Sequence, residues 1–121
     1  MNTIPAVSPE AIASLREICP DDGGEFIKEI IQLYVDNTPR CIAELRTSLA
    51  KGDVTGFVRA AHTVKGSSAN VGAQGLREIA ERLELQSRRD GLTKVESLIA
   101  DCEEEFVRVD AELRKVAAAI S

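Results

Sequence analysis

Apolar residues recur along this chain at intervals of three and four, the spacing of one helix face rather than the alternation of a strand. Ser8 followed by Pro9 reads as an N-cap with proline at the first helical position, and Ile12, Leu15 and Ile18 give one apolar edge up to Pro20. Past the "DDGG" break, Ile27, Ile30, Ile31 and Tyr34 mark a second helix. Ile42, Leu45 and Leu49 continue the same spacing beyond "DNTPR". Pro39 either kinks this helix or, with Thr38 as N-cap, restarts it, and the pattern leaves both open. Asp53 is an N-cap candidate for a third helix with the stripe Val54, Phe57, Ala61, Val64, Ser68 and Val71, which Gly72 closes. A fourth helix carries Leu76, Ile79, Ala80 and Leu83 until the polar "QSRRDG" stretch stops it. Thr93 and Glu96 form a capping-box pattern for the last helix, whose stripe is Val95, Leu98, Cys102, Phe106, Val109, Leu113, Val116 and Ile120.

Long amphipathic helices joined by short polar loops can bury their stripes only against one another. The expected fold is all-α: an antiparallel up-down-up-down four-helix bundle with a short additional N-terminal helix covering one end. One domain is expected over residues 1–121, the short helix at about 8–19 and the bundle at about 24–120.

Composition narrows the functional classes. Aromatic residues make up only 3% of the chain, so aliphatic side chains must fill the core. The net charge of −5 repels phosphate backbones and anionic lipid, and neither nucleic acid nor a membrane surface is an expected partner. The N-terminus lacks the basic start and apolar core of a secretory signal, and no apolar run is long enough to span a bilayer, so a cytoplasmic protein is expected; stripes of helical period and a length that suffices for one core make a monomer the expectation. Cys19, Cys41 and Cys102 are odd in number and form no CxxC pair, which suggests reduced, structural thiols rather than a disulfide framework or zinc site. One histidine and no Walker-type motif leave no expected metal or nucleotide site.

That histidine, His62, lies roughly 130° from the centre of the third helix's apolar stripe and faces outward. Thr55, Arg59, Gly66 and Ala69 share its face, with Val58 and Lys65 at the flank. Gly66 is costly there, since glycine in a helix interior loses about 1 kcal/mol against alanine. A missing side chain one turn from an exposed ring lets another molecule approach it closely. Lys65, also one turn away, offers charge-assisted hydrogen bonds to a phosphoryl group on the imidazole.

The run "AAHTVKGSSANVGA", followed by "LREIAERLE", resembles the signature of the histidine-containing phosphotransfer domains of phosphorelays. The resemblance is strict from Ala60 to Glu84 and extends through Ser67, Ser68, Gly72, Leu76 and Leu83. It implies that His62 accepts a phosphoryl group from an aspartyl phosphate on a receiver domain and passes it to another receiver. It implies that Lys65 faces the phosphoryl group, that Gly66 admits the receiver, and that Glu84 hydrogen-bonds the imidazole from the neighbouring helix. Arg59, Gly66, Ser67 and Ala69 would form the docking face, and Ser67 would assist through a hydrogen bond. The implied partners are receiver domains and a hybrid histidine kinase, with Mg²⁺ supplied by the receiver. Such a domain is a phosphoryl carrier, not an ATP-binding enzyme with its own turnover. Two other readings stay open: a helical binding module that is never phosphorylated, and the histidine-bearing module of a chemotaxis-type kinase.

Overall fold

In the computed structural model, which describes residues 5–120, the first helix begins where the sequence places it. The Ser8 hydroxyl accepts from the Ala11 N–H at 3.3 Å, and Pro9 takes the first helical position. Five helices follow in order: α1 Pro9–Ile18, α2 Glu25–Lys51, α3 Val54–Asn70, α4 Gln74–Asp90 and α5 Glu96–Ile120. No strand occurs among the described residues. The expected domain bounds extend past the described residues at both ends.

The helices α2 to α5 form a closed ring, in which α3 packs on α2 and α4 while α5 packs on α4 and α2. This is the antiparallel four-helix bundle that the stripes require. Phe57, Leu45, Leu76, Leu83, Ile99, Val109 and Leu113 meet at its centre, each fully buried. Phe57→Ala would cost about 3–5 kcal/mol through lost burial and the cavity left behind. Helix α1 lies against α2, and the Ser8 N–H donates to the Gly72 carbonyl at 2.8 Å, so the N-terminal segment is tied to the α3–α4 turn.

Several local expectations change. Pro39 neither ends nor restarts a helix: α2 runs through it, and Thr38, instead of capping, is buried at the bundle interior. Packing of α2 along its whole length outweighs the one backbone hydrogen bond that proline cannot donate. The "QSRRD" stretch does not stop α4, which continues to Asp90 with Ser87 buried. Ser87 satisfies itself by donating to the Leu83 carbonyl at 2.7 Å, which makes a polar residue admissible in the core. Thr93 and Glu96 form no capping box. Helix α5 starts at Glu96, and the Thr93 hydroxyl donates back to the Asp90 carbonyl at 3.2 Å. Ile18 and Val54, assigned to apolar stripes, are exposed because each sits at the end of its helix, beyond the reach of a packing partner.

Candidate functional site

Helix α3 is held at its start by Asp53, whose Oδ1 accepts from the Gly56 N–H at 2.9 Å. Its inner face is held by Phe57, Ala61, Val64 and Ser68, all buried. The Ser68 hydroxyl lies 2.8 Å from the Tyr34 hydroxyl, a buried pair that joins α3 to α2. Burial pushes the Tyr34 hydroxyl up to about 12, so it stays protonated. With that face fixed, His62 is turned outward, and its side chain is 63% exposed.

Its partner comes from α4. Leu83, on the preceding position of α4, is fully buried, and Glu84 beside it reaches the α3–α4 seam at only 4% exposure. Glu84 Oε2 lies 3.0 Å from His62 Nδ1. The same oxygen accepts from Arg88 Nη2 at 3.1 Å. Lys65 Nζ stands 2.7 Å from the other oxygen, Oε1. Oε1 nevertheless receives no hydrogen bond of sound angle, so the Lys65 contact is an ion pair first. Burial would push the Glu84 carboxyl up, but the Lys65, Arg88 and His62 contacts overcome it and hold the carboxyl at about 2. A carboxylate so held accepts from Nδ1–H, which fixes one tautomer and leaves the lone pair of Nε2 available as a nucleophile.

The surface beside the ring differs on its two sides. Toward the start of α3, Val54, Thr55, Val58 and Arg59 line a shallow depression with His62 and Arg88. Toward the end of α3, Gly66 and Ala69 are exposed, and a Cβ built on Gly66 meets nothing within 4 Å. Ser67 points elsewhere: it is half-buried and lines the groove between α2 and α3 with Leu33, Asn37, Thr63 and Asn70. The structure therefore brings together His62, Lys65 and Glu84, keeps Arg59, Gly66 and Ala69 on the same face, and sets Ser67 apart. The sequence reading missed Arg88. Its spacing of four from Glu84 on one helix was the available signal, since such pairs meet on a helix surface.

The Hpt domain family model matches residues 29–119, a span that holds His62, Lys65, Glu84 and Arg88. The chain belongs to the Hpt domain family. The Hpt domain is 29% identical over 85 residues to the phosphorelay intermediate protein rdeA of Dictyostelium discoideum, covering 70% of this chain and 34% of that protein. It is 36% identical over 87 residues to multistep phosphorelay regulator 1 of Schizosaccharomyces pombe, covering 69% of this chain and 29% of that one. The chain thus spans about a third of the length of these curated relatives. Among solved structures, the histidine-containing phosphotransfer protein B of Pseudomonas aeruginosa superposes with a TM-score of 0.87 at 26% identity, over 97% of this chain and 98% of that one.

Among the described residues, no group of three or more His, Cys, Asp and Glu side chains is placed to hold a metal ion. Nor is any described helix of the Hpt domain long and apolar enough to cross a membrane.

Proposed function

We propose that the chain is a phosphoryl carrier of a multistep phosphorelay, with His62 as the acceptor. The observation that carries this reading is the bond between exposed His62 Nδ1 and the buried Glu84 carboxylate, in a chain of the Hpt family. The Nε2 lone pair attacks the phosphorus of an aspartyl phosphate on a receiver domain. An N–P bond forms, the P–O bond to the aspartyl group breaks, and the receiver's carboxylate leaves with the electron pair. Because Nδ1 keeps its proton, the phosphorylated ring carries positive charge, and the Glu84 carboxylate at 3.0 Å is its counter-charge.

The reverse step, onto a second receiver, uses the same geometry. The partners in this reading are receiver domains, including one carried by a hybrid histidine kinase, and Mg²⁺ enters with the receiver. The domain supplies a positioned nucleophile and an open docking surface around Arg59, Gly66 and Ala69, with Ser67 at its α2 border. It does not bind ATP or turn over alone, and it acts as a monomer in the cytoplasm.

Mixing the purified protein with ³²P-labelled receiver domains tests this. Label should appear on the chain, resist alkali and be lost in acid. A His62→Ala protein that still takes up label would overturn the assignment.

A further inference from the structure

Helix α4 sends Glu84 and Arg88 to the seam beside His62. The residues one position further on, Leu85 and Arg89, point about 100° away, on the side of α5. There Arg82, Leu85 and Arg89 line a shallow depression with Lys94 from the α4–α5 loop and Leu98 from α5. We infer that this α4–α5 face is a second docking surface, and that its partner is a short acidic amphipathic helix of another protein. The inference goes beyond phosphoryl carriage and does not depend on it.

The spacing carries the first part of the argument. Arg82, Leu85 and Arg89 stand at i, i+3 and i+7, one stripe of two turns and about 10 Å. All three are exposed, Leu85 at 57%. A leucine with a cation one turn to either side is the complement of a helix that carries an apolar residue with a carboxylate one turn to either side. The groove between α4 and α5 supplies the seat, and half-buried Leu98 extends its apolar floor. The cations are available for a partner. Arg82 and Lys94 form no ion pair among the described residues, and Arg89 meets only its neighbour Asp90, at 3.2 Å with both side chains exposed. Such a surface pair is worth little and yields readily to a better one.

Lys94 adds an independent observation. Its φ of 57° makes it the one non-glycine among the described residues with left-handed backbone. A lysine is strained there, where a glycine would not be. Gln86 holds the loop in that form, its Nε2 donating to the Thr93 carbonyl at 2.9 Å and to the Lys94 carbonyl at 3.1 Å. The Lys94 side chain therefore borders the depression from a loop already fixed, so that binding needs little further ordering.

Charge and length select the occupant. The chain carries −5 overall, which disfavours nucleic acid and anionic membrane. Carboxylates also bound the stripe: Glu78 lies one turn before Arg82 and Asp90 directly follows Arg89, both exposed. A long polyanion would run into them, whereas a helix with two acids flanking one apolar residue covers only the cations. The surface shares no residue with the depression at His62, to which α4 contributes only Arg88. A partner held here leaves the outward face of α3 open.

The probe is a synthetic Ala-rich helical peptide of about 16 residues with Glu, Leu and Glu at i, i+3 and i+7 on one face, titrated into the ¹⁵N-labelled chain. A shuffled peptide of the same composition, with the three residues on different faces, is the control. Saturable shifts should appear at Leu85, Arg89, Lys94 and Leu98, with none at His62, Gly66 or Ala69. Arg82→Glu and Arg89→Glu should each weaken binding by about 10-fold or more, and Leu85→Ser by about 3- to 10-fold, with melting curves near that of wild type because all three side chains are exposed. Lys94→Gly should move two readouts in opposite directions, raising the melting temperature by relieving the left-handed strain while weakening the peptide.

Equal binding of the shuffled peptide, or wild-type affinity in Leu85→Ser, would reduce the face to unspecific charge attraction and overturn the proposal. Shifts that grow with protein concentration alone would overturn it in favour of a contact between copies. Tripolyphosphate binding the same residues more tightly than the peptide would overturn the choice of a helix. Each of these results leaves the carrier reading intact, since none of them involves His62.

Discussion

Helix α3 contains two glycines, Gly56 and Gly66, ten positions apart, one buried and one exposed, and they are there for different reasons. Gly56 is buried, and a Cβ on it would come within 2.9 Å of Ser48 Oγ and 2.5 Å of Asp53 Oδ2. Its own N–H is the donor that Asp53 caps. Gly56 is thus fully accounted for by the packing of this chain against itself. Gly66 is exposed, has no positive φ, and would give a Cβ nothing to touch. Nothing inside the molecule requires it. The inward face of α3 is explained by the bundle, while the outward face, with His62, Gly66 and Ala69, has no such internal requirement and is the face on which we propose that a receiver docks.

The largest effect expected from this contrast is on transfer rather than stability. Gly66→Gln should cut exchange with a phosphorylated receiver by about 100-fold or more while the melting curve stays near that of wild type, because a long side chain blocks close approach without touching the core. Full-rate exchange in a normally folded Gly66→Gln protein would make Gly66 as internal a matter as Gly56.

Next in size is the buried carboxylate that wires the outward face. Glu84 is held at about 2 against an ordinary 4.5, so the unfolded chain takes up the proton first. Its contribution to stability is fully present above about pH 5 and fades as the pH falls toward 2. Wild type should exceed Glu84→Gln by on the order of 2–3 kcal/mol at pH 7 in urea unfolding, and the gap should narrow over that acid window. A gap independent of pH would show that the ion pairs at Glu84 do not stabilise the fold.

The same conservative change at the two glycines should then act with opposite sign. Gly56→Ala must displace the Asp53 cap or Ser48, and should destabilise by about 1 kcal/mol despite the better helix propensity of alanine. Gly66→Ala meets no obstacle and should stabilise by about 0.4–1 kcal/mol, with transfer reduced less than in Gly66→Gln. Equal signs in denaturant titrations would dissolve the comparison.

Much of this was legible before any coordinates. The stripes at Phe57, Ala61, Val64 and Ser68 and at Leu76, Ala80 and Leu83 are buried as their spacing requires. The caps at Ser8 and Asp53 form, since each places a short oxygen-bearing side chain three residues before an unsatisfied N–H. Other features were out of reach. Whether α2 breaks at Pro39 turns on the sum of contacts along 27 residues, which a local rule about one missing donor does not weigh. The "QSRRD" run looked polar, yet Ser87 could be buried because a carbonyl one turn back satisfies it.

The sequence by itself determined that this chain is a helical bundle with one outward histidine beside a glycine, because helical period and side-chain type are properties of neighbours along a strand of peptide. Only the tertiary structure decided what surrounds that histidine. His62 and Glu84 are separated by 22 positions, and their bond exists because the buried faces of α3 and α4 dock in one register. That register also put Lys65 on one carboxylate oxygen and Arg88 on the other. Spacing can say that three charged groups lie near one another, but which oxygen each one meets depends on the rotation of two helices about their shared seam.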